Sequence, residues 1–134
     1  MSALPRAINK HGDVKDRWRR HQHQSRITVM LRCRGKCEAG ECDQEAREWA
    51  HIFGRRAIIA EPWASSPDAT FGLCRHHHQQ LDRNLAPDLL DRMRWIAVAR
   101  LCASHSVPIP STAEYDALGA IRAVVDVLEE RERG

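Results

Sequence analysis

The sequence predicts an α+β chain, and three observations carry that prediction. Two short runs with strand character, 48–53 and Thr70–Leu73, lie inside one stretch that also holds close Cys/His pairs. Behind the second run, Arg75–Asp82 reads as the first turns of a helix. Beyond residue 85, two apolar stripes repeat at three and four residues, as a helical hairpin requires. The expected organisation has three parts. A basic segment covers 1–24, a small unit of two strands and a helix covers 25–84, and a helical hairpin covers 85–134.

Each element has a local reason. In the first segment, Pro5 and Gly12 are expected to interrupt any early helix, and a helix from about Asp13 onward fits the absence of strand alternation over 17–20. Arg26–Leu31 is a short apolar run, either a strand or the end of a helix. Residues 33–42 are rich in Gly and charge and read as a turn. Trp49, His51 and Phe53 alternate with Glu48, Ala50 and Ile52, giving the first strand. Gly54, Pro62, Ser65, Ser66 and Pro67 mark a long loop before the second. The first helical stripe is Leu89, Leu90, Met93, Ile96, Ala97 and Leu101, with Cys102 on its apolar side. Val107-Pro108-Ile109-Pro110 breaks it. Ser111 with Glu114 matches a capping box for the last helix, whose stripe is Leu118, Ile121, Val125 and Leu128.

Composition narrows the function classes. At 134 residues, 43% apolar and 29% charged, the chain is one domain's worth of sequence with a small core. No apolar run approaches the roughly 20 residues needed to cross a bilayer. Charge throughout the first thirty residues is unlike a secretory signal. A cytoplasmic protein is expected, and five cysteines in that reducing compartment argue against a disulfide framework. Residues 1–36 hold ten Lys/Arg against two acids, net +8, whereas 37–134 hold eleven against sixteen, net −5. A basic front on a slightly acidic body suggests a polyanion partner, most simply nucleic acid, with Arg19 and Arg20 as candidate contacts. A solvated basic tail is the plain alternative.

Cysteine and histidine carry the functional argument. Four residues, one of them a glycine, lie between Cys37 and Cys42, two lie between Cys74 and His77, and thirty-one lie between the pairs. Zn²⁺ takes four thiolate or imidazole ligands in a tetrahedron, and structural sites are commonly built from two such close pairs. Cys33, with three residues between it and Cys37, competes with Cys42 on spacing alone.

One knuckle cannot use all of His76, His77 and His78. On a helix start His78 points about 100° away from His77, and Asp82 lies one turn further on the same face as His78. A nitrogen and an oxygen so placed suit a second, harder cation. His51, in Trp-Ala-His-Ile, has an imidazole whose ordinary pKa of about 6.5 suits a general base at neutral pH. Taken singly, each is an ordinary surface residue. Beside a zinc knuckle, they form a candidate site.

The order Gly35-Lys36-Cys37, Cys42, Ala50-His51-Ile52, Pro67-Asp68 and Leu73-Cys74-Arg75-His76-His77-His78-Gln79-Gln80-Leu81-Asp82 resembles the HNH endonucleases, also called ββα-metal or His-Me finger nucleases. It is most similar to small phage-type members that read A-H-I, then P-D, then C-x-x-[C/H]-H-x-x-x-[D/H]. The resemblance covers about residues 25–84 and implies a zinc-stabilised ββα-metal finger. It also implies a metal-dependent DNA endonuclease, encoded by a phage or prophage and acting in the cytoplasm of a bacterial host. Such enzymes leave 5′-phosphate and 3′-hydroxyl ends. The family pattern around Cys37 favours Cys42 over Cys33 as its partner.

Carried over residue by residue, the resemblance makes His51 the base that activates water. His78 and Asp82 hold the catalytic cation (Mg²⁺, Mn²⁺, Ni²⁺ or Zn²⁺), and Arg55 and Arg56 meet phosphate oxygens. Ala50 stands where most members have Asp or His. The middle Asn is replaced by Ala69, with Asp68 beside it expected to substitute as a catalytic residue. These departures keep open a catalytically inactive, zinc-stabilised DNA-binding module. A zinc-stapled scaffold that binds only protein is the third class.

Overall fold

The computed structural model describes residues 6–54 and 62–134, with side chains from Asp16 onward except Pro62. Arg55 and Arg56 lie outside the described residues. The chain opens on one long helix, α1 (Arg6–Cys33), whose 28 residues span about 42 Å at 1.5 Å each. It passes through Gly12 and through Arg26–Leu31, which corrects both the expected break and the strand alternative. A single interior glycine costs only about 1 kcal/mol, and tertiary packing fixes the far end. Val29 is fully buried there, while Ile27 and Leu31 face solvent. The expected boundary at 24/25 falls inside this helix.

After α1 the chain makes a narrow turn-back. Lys36 pairs with Glu45 as an isolated antiparallel bridge, with Cys37 N donating to Gln44 O and Ala46 N donating to Gly35 O, both at 2.9 Å. Between these bonds the loop carries Cys37 and Cys42, and Gly40 at its tip has φ +58°, the left-handed conformation that glycine adopts without strain. Strand β1 (Glu48–His51) then pairs antiparallel with β2 (Thr70–Leu73), Glu48 opposite Leu73 and His51 opposite Thr70. The first strand ends sooner than alternation suggests, because Ile52 and Phe53 are both buried. Two short 3-10 turns, Pro62–Ser65 and Pro67–Ala69, lead into β2.

A partly buried ion pair ties these pieces together. Arg32, near the end of α1, sets its fork on Glu38 (Nε 2.9 Å, Nη2 2.7 Å) and donates to the carbonyls of Pro67 and Thr70. Glu38 also accepts from Gly72 N at 2.9 Å. The bidentate geometry fixes direction as well as distance. It locks the cysteine loop to β2.

Helix α2 (Arg75–Asp82) follows β2 directly, with Cys74 as its N-cap. Helices α3 (Pro87–His105) and α4 (Ala117–Arg133) form the expected hairpin. One hydrophobic core joins it to the sheet: Phe71 and Leu73 pack in the same cluster as Met93, Ala97, Val98, Leu101, Cys102, Ala120, Ile121, Val124 and Val125. Two stripe residues are corrected, since Ile96 and Leu118 are exposed. The last helix does not start at Ser111. Residues 111–115 form a turn, and Asp116 caps the helix by accepting from Gly119 N at 2.7 Å. No helix among the described residues is long and apolar enough to cross a membrane.

Candidate metal centre and adjoining cleft

The cysteine loop and the start of α2 bring Cys37, Cys42, Cys74 and His77 together, with all four ligand atoms within 4.8 Å of one another. His77 Nδ1 lies 3.5 Å from Cys37 Sγ and 3.3 Å from Cys74 Sγ. An ion with bonds of about 2.3 Å to sulfur and 2.0–2.1 Å to nitrogen needs tetrahedral S···N edges of about 3.6 Å. The donor set and its spacing therefore fit one metal ion, and the Cys3His cluster could hold a structural one. Cys74 Sγ also accepts from His77 N at 3.4 Å, so the helix cap preorganises two of the four ligands. Burial pushes the Cys37 thiol up to about 11. A cation at the cluster supplies the charge that stabilises its thiolate.

Cys33 does not take part. It ends α1, its thiol donates to Met30 O at 3.4 Å, and its sulfur fills the space over Gly72, where an added Cβ would meet it at 2.9 Å. Geometry thus settles the competition between Cys33 and Cys42. Cys102 is buried in the helical core, as expected.

The three consecutive histidines diverge. His76 is exposed, with its ring edge against His77. His77 turns into the cysteine cluster, and His78 turns the other way into a cleft of about 460 Å³. His51, Asp82, Trp49, Phe53 and Arg94 line the same cleft. Trp49 and His51 share one face of β1, their ring centroids 4.4 Å apart. His78 Nε2 is 3.6 Å from Asp82 Oδ2, and its Nδ1 is 2.6 Å from Glu48 Oε1. That hydrogen bond holds the Glu48 carboxyl below the usual range, with Arg75 assisting at 3.5 Å. Nδ1 thus faces Glu48 while Nε2 faces Asp82.

Other predicted residues fall elsewhere. Asp68, expected to stand in for the middle Asn, accepts from Ser104 Oγ at 2.8 Å and does not line the cleft. The 3-10 turn that carries it packs on α3, which explains its direction. Ala50 is buried. Arg19 and Arg20 are exposed on α1, away from the cleft lining.

Two residues at the site carry no obvious mark in the sequence, Glu48 beside His78 and Arg94 in the cleft lining. Nothing in the sequence marks Glu48, whose partner lies thirty residues away. Arg94 did leave a signal. It stands four residues after Leu90 and three before Ala97, a charge on the predicted apolar stripe.

No protein-family model, curated protein or solved structure matches the chain. Functional inference therefore rests on the site itself.

Proposed function

We propose that the chain is a metal-dependent endonuclease of the HNH type that hydrolyses DNA phosphodiester bonds, its finger held by zinc at the Cys3His cluster. The observation that carries the proposal is the divergence of His77 and His78. One neighbour serves a structural cluster and the other faces a cleft shared with His51 and Asp82. A knuckle alone has no use for the second group.

In this reading His51 accepts the proton of the water whose oxygen attacks phosphorus, while the bond from phosphorus to the 3′ oxygen breaks. His78 and Asp82 would hold a divalent cation. Their 3.6 Å separation is long for a hydrogen bond and sets a nitrogen and an oxygen side by side as donors for one cation. Glu48 fixes the tautomer and direction of His78, as an outer carboxylate does for many ligating histidines. When bound, the cation stabilises charge developing on the phosphate and leaving oxygen. The exposed arginines of α1 supply a sequence-independent attraction to the phosphate backbone.

A second reading is a DNA-binding module without turnover. Asp68, turned away to Ser104, favours it, because the cleft then lacks the stand-in for the middle Asn.

A plasmid-nicking assay with Mg²⁺, Mn²⁺, Ni²⁺ or EDTA separates the two. Expected is cation-dependent cleavage that His51→Ala lowers at least about 100-fold, the typical scale for a general base, with zinc content unchanged. Cleavage by His51→Ala at the wild-type rate removes the base. Binding without cleavage under every cation selects the second reading.

A further inference from the structure

We propose that Arg94, from the helical hairpin outside the two-strand-and-helix unit, forms an oxyanion subsite in the cleft that grips a non-bridging oxygen of a DNA backbone phosphate. The proposal deepens the nuclease reading and rests on it for the identity of the anion.

The placement is specific. Arg94 Nε donates to the carbonyl of Ile52 at 2.9 Å, one residue beyond His51. Its guanidinium carbon lies 5.7 Å from the centroid of the Phe53 ring. One bond and one aromatic face thus set the side chain while the far edge of the fork stays available to the cleft. Among the described residues no carboxylate forms an ion pair with Arg94. Burial lowers its pKa, and the more distant Asp91 and Asp116 only partly offset that effect. The guanidinium stays charged all the same, as arginine does in proteins. A half-buried cation without a paired carboxylate lacks the partner that normally compensates its lost hydration, and an oxyanion supplies one.

The cleft also contains Asp82, which would repel an anion on its own. A cation between His78 and Asp82 removes that objection. The subsite and the cation position then bracket one phosphate group, with His51 on the same wall.

A purely structural Arg94 would do no more than pin Ile52. Salt dependence tells the two roles apart, because each neutralised phosphate contributes about 0.9 to the slope of log K against log salt. The probe is a fluorescein-labelled 20-base-pair DNA duplex, titrated by anisotropy in Ca²⁺ without chelator, so that the cysteine cluster keeps its ion, a cation is present to offset Asp82, and binding is read apart from turnover. Arg94→Gln is expected to bind roughly tenfold more weakly at moderate salt, the scale of one charge-assisted contact, with a slope flatter by about 0.9. Arg94→Lys, which keeps the charge, is expected to keep the slope. If Arg94→Gln loses its fold, Arg94→Met keeps the packed stem and is read in the same way. Unchanged affinity and slope in a folded charge-removing variant overturn the subsite, even if the wild type cleaves. A wild type that binds without cutting, with a flatter slope in Arg94→Gln, sinks the nuclease reading and supports the subsite as a phosphate contact. Failure of the wild type to bind the duplex at low salt overturns both.

Discussion

Replacing Cys74 by alanine tests the metal cluster where it is most exposed to failure. The substitution deletes one of four ligands whose donor atoms lie within 4.8 Å of one another. It also deletes the acceptor that caps α2 through His77 N. A structural zinc supplies about 10–16 kcal/mol of apparent folding free energy, whereas a domain of this size is stable by roughly 5–15 kcal/mol. Losing the ion therefore removes as much stability as the chain has, and the missing cap adds about 1 kcal/mol. Cys33→Ala is the matched control. Cys33 is equally a buried thiol in a nearby element, but it packs on Gly72 and lies outside the cluster. Its loss should cost about 1 kcal/mol, a drop of about 3–5 °C in Tm. The assay is thermal unfolding by circular dichroism, with metal content measured on the same samples. Expected are one zinc per wild-type chain, unfolding of the wild type in strong chelator, and unfolded, metal-free Cys74→Ala and Cys42→Ala. A Cys74→Ala protein that melts cooperatively near the wild-type Tm with its zinc retained refutes the cluster. So does loss of zinc in Cys33→Ala.

Other outcomes follow from particular contacts. Gly72→Ala drives a Cβ to 2.9 Å from Cys33 Sγ and should destabilise by about 1–3 kcal/mol. Combining it with Cys33→Ala should recover most of that loss in a double-mutant cycle, and simple additivity would count against the contact. Asp116→Ala should cost about 0.5–2 kcal/mol as a lost N-cap, while Ser111→Ala and Glu114→Gln should stay within about 0.5 kcal/mol. Denaturant melts of the three variants check that order. Leu101→Ala, at the centre of the joint core, should lose about 2–5 kcal/mol. A loss well under 1 kcal/mol would show that hairpin and sheet do not share one core.

The parts legible in the sequence were those whose causes are local. Both strands, the short helix behind them and the helical pair follow from alternation and three-four spacing over a few residues. The cluster of Cys37, Cys42, Cys74 and His77 follows from two close pairs, each on a turn or helix start. What resisted reading depends on distant partners. Arg26–Leu31 has the β-branched content of a strand, but Ser25, Val29 and Cys33 are buried while Ile27 and Leu31, which a strand would place on the same face, are exposed, a pattern that fits a helix. The 111–114 pattern is a capping box by type. Its residues form a turn instead, and Asp116 supplies the cap that the helix uses. Asp68 stands beside Ala69 in sequence and is expected to substitute for the middle Asn, yet its turn docks on α3 and points it at Ser104. Glu48 reaches His78, and Arg94 is pinned in the cleft, through bonds spanning thirty and forty-two residues, beyond the reach of any local pattern.

The central claim is that adjacent imidazoles hold two different ions. Anomalous diffraction from crystals soaked first in Zn²⁺ and then in Mn²⁺ measures this directly. The account predicts a zinc peak bounded by Cys37, Cys42, Cys74 and His77 Nδ1. It also predicts a separate manganese peak between His78 Nε2 and Asp82, in the cleft that His51 lines. A single ion bonded to both His77 and His78, or a cleft that binds no cation at any soak concentration, contradicts it.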